Sequence, residues 1–273
     1  MNFNSQQKYL LLIIINLKSI NMKRSLKELK GFSIETSDGT KGKIKDFIFD
    51  EDNWKVRYLD ADFGGFFKDK RVLLPVNVMK EPLWDDQSIP LSVSDKYIEN
   101  SPSPVDKPTV SREYEKQLMS YYQFGAYWTD EIATPVGSGM YYPSRPIKVP
   151  VKEVNENDLD TKLRSFKEVK GYHILATDGH LGHVEDIIAD DADWQLIYVV
   201  IDTSNWRPWS KKVILLISWL KEISYATKEV SIDVDTDVIK NAPEIDTSKP
   251  IEAAFEKALL DYYERVFSSE KEH

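Results

Sequence analysis

Two histidines, His180 and His183, stand close together with Asp178 and Glu185 nearby, and imidazoles with carboxylates suit zinc or nickel. The stretch 140 positions earlier has Thr40 and Lys43 in their places, so solvent-exposed turn residues is the preferred reading and metal binding the weaker one. The acidic runs Asp50-Glu51-Asp52 and Asp190-Asp191-Ala192-Asp193 offer oxygens to calcium, but they lack the length and the terminal bidentate glutamate of an EF-hand loop. They read as turns. Asp46 with Asp62, and Asp186 with Asp202, suggest acid/base pairs, yet no Ser/His or Lys nucleophile arrangement accompanies them; hydrogen bonds that close turns account for them better. Gly64-Gly65 is an isolated pair rather than a phosphate loop. No catalytic residue and no cofactor is assigned, and the chain reads as a non-enzyme.

Two segments combine bulky aromatics with cations in an otherwise acidic chain: Phe66-Phe67-Lys68-Asp69-Lys70-Arg71 and Trp206-Arg207-Pro208-Trp209-Ser210-Lys211-Lys212. Binding hot spots have this composition, and so do surfaces that touch anionic membranes. The opposing and stronger reading is that the rings plug one end of the fold while the cations stay solvated. The partner-binding candidates are therefore Phe66, Phe67, Arg71, Trp206, Arg207, Trp209, Lys211 and Lys212.

These residues sit on a duplicated frame. Lys27 to Asp62 aligns without a gap on Lys167 to Asp202, with fourteen identities where composition gives roughly two by chance. Ile34 and its neighbours form a short strand, Ser37-Asp38-Gly39 a tight turn, and Lys43 to Phe49 a second strand. Asp50 to Asn53 then reverses the chain into Trp54 to Asp62, where Val56 and Tyr58 alternate with Lys55 and Arg57, one face dry and the other wet. Arg71 to Pro75 and Ile89 to Val93 are further strands, matched by Val213 to Ile217 and Val230 to Val234. Five short strands in so short a span predict a strongly bent, barrel-like sheet. Leu196 to Ile201 is apolar on both faces and predicts cover from a helix, the other barrel or another subunit.

A helix follows each sheet. Tyr114, Leu118, Tyr121 and Tyr122 make one stripe behind a Ser111 cap, and Phe255, Leu259, Tyr262 and Tyr263 take the same places in the second copy. Shorter helical turns are expected at Asp95 to Asn100 and Thr236 to Asn241. Between the copies, residues 123–160 are rich in Gly, Pro and aromatics, among them Tyr127, Trp128, Tyr141 and Tyr142, which suggests a docked but irregular linker. Residues 1–21 hold one apolar run, Tyr9 to Ile15, too short for a roughly 30 Å hydrocarbon core. Met22 reads as the natural start, with the preceding residues disordered or non-native.

The order G-x-x-I, D-G, G-x-[IV]-x-D, acidic turn, W-x-x-x-Y and then Val72-Leu73-Leu74-Pro75 resembles the PRC-barrel family, shared by the photosynthetic reaction-centre H subunit and ribosome maturation factors. Val110 to Glu115, with Tyr121-Tyr122 and Tyr127-Trp128, resembles the segment after the first barrel in tandem members. The second copy departs where Leu216 replaces Pro75, which predicts a looser strand end. The resemblance implies a mainly β fold of two tandem barrels, repeat 1 over 22–122 and repeat 2 over 161–267, each followed by an amphipathic helix. It also implies protein docking, and its functional consequence is an interaction or assembly module with a protein partner. A small-ligand or metal sensor using the cleft between repeats is the rival.

Composition narrows the setting. A net charge of −9 and a pI near 5.1 argue against general nucleic-acid binding. Cysteine is absent, which excludes disulfides and thiolate chemistry and fits a cytoplasmic protein. Homo-oligomer formation and peripheral membrane contact stay open, without a transmembrane segment.

Overall fold

A computed structural model of the chain describes residues 23–67, 71–103, 110–124, 162–203, 211–246 and 251–269. The apolar run near the N-terminus and the linker aromatics Tyr127, Trp128, Tyr141 and Tyr142 lie outside the described residues. The first half of the chain supplies β1 (Lys23–Ser25), α1 (Leu26–Leu29), β2 (Ser33–Glu35), β3 (Lys41–Asp50), β4 (Lys55–Asp62), β5 (Arg71–Pro75), β6 (Ser88–Pro90), α2 (Asp95–Glu99) and α3 (Arg112–Tyr122). The second repeats that order as β7 (Leu163–Ser165), α4 (Phe166–Val169), β8 (His173–Ala176), β9 (Gly179–Asp190), β10 (Leu196–Asp202) and β11 (Lys212–Leu216). It then adds β12 (Leu220–Ser224) before β13 (Glu229–Ile232), α5 (Thr236–Asn241) and α6 (Ala253–Ser269). The fold is mainly β with accessory helices, as the sequence predicts.

Two separate sheets result. One runs β5-β4-β3-β2-β6 and the other β11-β10-β9-β8-β13-β12, antiparallel except where β2 meets β6 and β8 meets β13 in parallel. In each, a long strand has a short neighbour. β2 pairs only with Lys41 to Lys43 at the start of the ten-residue β3, which leaves the far half of that edge unpaired by β2. An open row of backbone N–H and C=O groups is a template for another strand.

The strands that fill these edges come from the opposite halves of the chain. β7 pairs antiparallel with β3, Ile48 facing Ser165, Phe49 facing Arg164 and Asp50 facing Leu163. β1 pairs in the same way with β9, Lys23 facing Asp190, Arg24 facing Ala189 and Ser25 facing Ile188. The two compact units are accordingly Leu29–Ser165 and Met1–Glu28 with Phe166–His273. Sequence repeat and compact unit do not coincide, because each repeat contributes its leading strand to the unit built by the other.

Each unit has its own core. In Leu29–Ser165, Ile34, Phe47, Val56, Leu59, Leu74 and Ile89 are fully buried, and the α3 stripe of Tyr114, Leu118, Tyr121 and Tyr122 is buried as well, the last two packed against Tyr97. Ser111 caps α3 as predicted, its hydroxyl oxygen accepting the Tyr114 amide at 3.2 Å. The wet-and-dry alternation of β4 holds only to Tyr58: Leu59, Asp60 and Ala61 are all buried, so the strand is covered on both faces. In β10, Tyr198, Val199, Val200 and Ile201 are likewise buried, and α6 is one of the elements that cover that sheet, with Tyr263 edge-on to Trp219 at 4.5 Å.

The looser strand end expected at Leu216 is absent. Leu216 leaves β11 at φ −63°, ψ 130°, against φ −64°, ψ 144° for Pro75, and each leads into a 3-10 turn, Val76–Val78 or Ile217–Trp219. Leucine reaches this extended conformation freely, so the ring of proline is not needed to set it.

Gly42 and Gly182 return in both copies for lack of space. A Cβ on Gly42 would stand 2.7 Å from the Phe63 ring, and one on Gly182 would stand 2.2 Å from the Asp202 carbonyl oxygen, with φ at +61°. Gly39 also has positive φ, +92°, but open space around it. Gly39→Ala is therefore expected to cost about 1 kcal/mol, and Gly182→Ala clearly more because backbone must move. Urea denaturation of the two variants checks this, and equal losses would contradict it.

Candidate functional site

The aromatic and cationic loops lie at matching places, between β4 and β5 and between β10 and β11. In the first, the Asp62 carboxylate accepts the Gly64 amide at 2.7 Å and turns the chain into a 3-10 segment, Gly64–Phe67. Phe63 is buried; the side chains of Phe66 and Phe67 lie outside the described part of the structure. Arg71 opens β5 with its Nε 2.8 Å from both Asp60 oxygens and an Nη2 contact at 2.6 Å. Asp60 is buried and Arg71 about half exposed, and the bond to Asp60 holds the guanidinium pKa above its ordinary value.

In the second loop Trp206, Arg207 and Trp209 lie outside the described residues, but its two ends are fixed. Thr203 and Lys211 exchange backbone and hydroxyl hydrogen bonds at 2.8 to 3.1 Å. The Lys211 ammonium donates to the Ala242 carbonyl at 2.6 Å, and burial lowers its pKa. Lys212 reaches Glu185 at 3.4 Å. Arg71, Lys211 and Lys212 are thus each bonded within their own unit, where they anchor the loop ends.

The arrangement differs between copies by compensating changes. Asp60, the acceptor for Arg71, corresponds to Val200, so Lys212 has no counterpart of the Asp60 carboxylate. It turns to Glu185, which stands where the first copy has Lys45. Burial alone would raise the Glu185 pKa, but bonds and charges from Lys27, Lys170 and Lys212 outweigh it and bring the carboxyl below its ordinary value.

His180 and His183 do not converge with the acidic residues near them in sequence. His180 Nδ1 is 3.6 Å from Glu229 and largely exposed, while His183 faces His173 across one ladder and Asp202 across the other. Asp178 is engaged elsewhere, accepting the Thr236 amide at 2.7 Å and its hydroxyl at 2.9 Å at the start of α5, and the amide bond lowers its pKa. Among the described residues, no group of three or more His, Cys, Asp or Glu side chains is placed to hold a metal ion.

The acidic turns have the predicted turn chemistry and a second role that sequence reasoning missed. Asp50 accepts the Asp52 amide at 3.0 Å, the Asn53 side chain at 2.9 Å and Arg57 at 3.0 Å; Asp190 accepts the Ala192 amide at 2.9 Å. Beside them, Glu51 takes Arg164 of β7 in a two-pronged contact at 2.5 and 2.6 Å, and Asp191 takes Arg24 of β1 at 3.2 Å. Asp46 and Asp186 are also reassigned. They do not close turns: Asp46 receives the Ser165 hydroxyl at 2.5 Å and its neighbour's amide, that of Phe47, at 2.9 Å. Asp186 receives the Ser25 hydroxyl and the amides of Lys27 and Ile187 at 3.0 and 2.8 Å. Each aspartate therefore fastens the leading strand from the other repeat.

A third repeated carboxylate was also missed. Glu115 and Glu256 are buried on the inner faces of α3 and α6, where they accept the hydroxyls of Tyr58 at 2.9 Å and Tyr198 at 2.7 Å. Arg112 neutralises the first at 2.8 Å, and Lys23 of β1 approaches the second at 3.2 Å. Burial, with Glu256 beside it, pushes the Tyr198 pKa far above its ordinary value. The signal was the recurrence of a glutamate directly after the first aromatic of each helical stripe.

Burial pushes the Asp186 carboxyl above the usual range despite its three donors. With a raised folded pKa, its contribution to stability is complete below the unfolded value and is lost as pH rises through the folded value. Relative to Asp186→Asn, the natural chain should gain stability between about pH 7 and about pH 4. Urea denaturation at both pH values checks this; a difference that does not move with pH would contradict it.

Among the described residues no helix is long and apolar enough to cross a membrane. No curated protein matches the chain. Residues 22–89, which run from the start of β1 to β6 and carry Asp46, the acidic turn and the loop before β5, match the PRC-barrel domain.

Proposed function

We propose that this chain is a non-enzymatic PRC-barrel module, with the same fold in both repeats, that docks a protein partner through the loops preceding β5 and β11. The observation that carries the reading is where the buried carboxylates point. Asp46, Asp60, Glu115, Asp186 and Glu256 each accept hydrogen bonds from a serine, arginine or tyrosine of the same unit. An acid or base catalyst needs a carboxyl that faces substrate in a cleft, whereas these hold elements of the fold together. The loops supply what a docking surface needs: aromatic bulk at Phe66, Phe67, Trp206 and Trp209, a cation at Arg207, and ends fixed by Asp60-Arg71 and Thr203-Lys211. Fixed ends lower the ordering cost of binding.

Affinity capture from the source cells tests this with the full chain as bait beside a Trp206→Ser, Arg207→Ser, Trp209→Ser variant. These positions lie between the loop anchors, so the fold should survive. The expected result is a defined protein retained by the natural chain and reduced at least about tenfold with the variant. Equal retention would remove the loop from the interface, and a folded bait that retains no protein would contradict the docking role.

A further inference from the structure

The two edges that receive leading strands are copies of each other, and so are the strands they receive. Residues 23–31 and 163–171 agree at six of nine positions, including the Arg-Ser pair and the Lys-Glu that follows. Each strand presents the same two groups to the same two acceptors. Arg24 meets Asp191 and Ser25 meets Asp186; Arg164 meets Glu51 and Ser165 meets Asp46. Both ladders are three residues long and antiparallel. Recognition is therefore local. Nothing in the backbone ladder, the Arg–carboxylate contact or the Ser–Asp bond depends on which chain supplies the strand.

From this equivalence we infer that a second copy of this chain is a partner, and that the interface is the edge of β9 at Ile188–Asp190, occupied by Lys23–Ser25 of the other copy in reciprocal exchange. The closed chain already contains every bond such a dimer would use, so exchange creates no new contact and loses none. What separates the two forms is concentration. A tethered strand competes at an effective concentration in the millimolar range, so chains folded when dilute should close on themselves and chains folded when concentrated should exchange. Exchange breaks the Ser25–Asp186 and Arg24–Asp191 contacts together, so the form captured on folding should persist.

The chain has no cysteine, which makes the test direct. Arg24 and Ala189 face each other across the ladder, the arrangement a disulfide requires. Chains carrying Arg24→Cys and chains carrying Ala189→Cys are unfolded, mixed and refolded together at about 10 µM and about 1 mM. The expected result is a disulfide-linked species of twice the chain mass, several-fold more abundant at the higher concentration, and removed by reductant. Single chains only, while the doubly substituted chain closes its own disulfide, would overturn the inference. Failure of the doubly substituted chain to close would overturn the β1–β9 register on which it rests. The unsubstituted chain, refolded under the same conditions and weighed by light scattering, guards against misfolding of the variants. A dimer there supports the exchange when it accompanies the cross-link; a monomer at both concentrations, or a dimer without the cross-link, overturns it.

Discussion

The structure depends on a mismatch of strand lengths. β3 and β9 have ten and twelve residues, while β2 and β8, their neighbours on one side, have three and four. A small β unit cannot leave half a central edge unpaired, because each buried backbone group without a partner costs on the order of 1 to 3 kcal/mol. β1 and β7 remove that cost. Their own hydrogen bonds are few, so the side chains beside them matter: Ser25 on Asp186 with Arg24 on Asp191, and Ser165 on Asp46 with Arg164 on Glu51. The leading strands are thus fastened by charge-assisted bonds, which are stronger than neutral ones.

From this constraint the role of the repeated carboxylates follows. An aspartate or glutamate present in both copies invites a catalytic reading, but each has a position-specific structural task. Asp38 and Asp178 meet the first amides of α2 and α5, Asp50 and Asp190 close the turns, and Asp46 and Asp186 hold the incoming strands. Glu115 and Glu256 tie α3 and α6 to the central tyrosines of β4 and β10. Where the copies differ, the charges differ together: Asp60 with Arg71 in one, Val200 with Lys212 turned to Glu185 in the other. The fold tolerates either arrangement, since each leaves its cation bonded.

Much of this was legible in the sequence. The duplication, the D-G turns, the strands around Ile44 and Tyr58, the Ser111 cap and the aromatic stripes of α3 and α6 all follow from local pattern, and the structure has them. The exchange did not show, for a physical reason. Lys23-Arg24-Ser25 carries no hydrophobic alternation, and its partner lies more than 160 positions away, so neither propensity nor period marks it as a strand. Its repetition as Leu163-Arg164-Ser165 was the available clue, since short charged segments recur in place when both are bonded. The two-sided burial of β4 was missed because Asp60 interrupts the apolar pattern, and only its contact with Arg71 makes a buried carboxylate acceptable there. Of the site, the loop ends were visible as cations, but not that Arg71, Lys211 and Lys212 bond within their own unit, because their acceptors are Asp60, a helix-end carbonyl and Glu185, each on another element.

The central claim is that each unit is completed by the strand that opens the other repeat. Nuclear Overhauser contacts in the dilute, monomeric chain measure it directly, because antiparallel strands bring facing backbone protons close enough to be seen. The account predicts contacts of Lys23–Ser25 with Ile188–Asp190 and of Leu163–Ser165 with Ile48–Asp50. Contacts of Lys23–Ser25 with Ile48–Asp50 instead, each repeat completing itself, would contradict it.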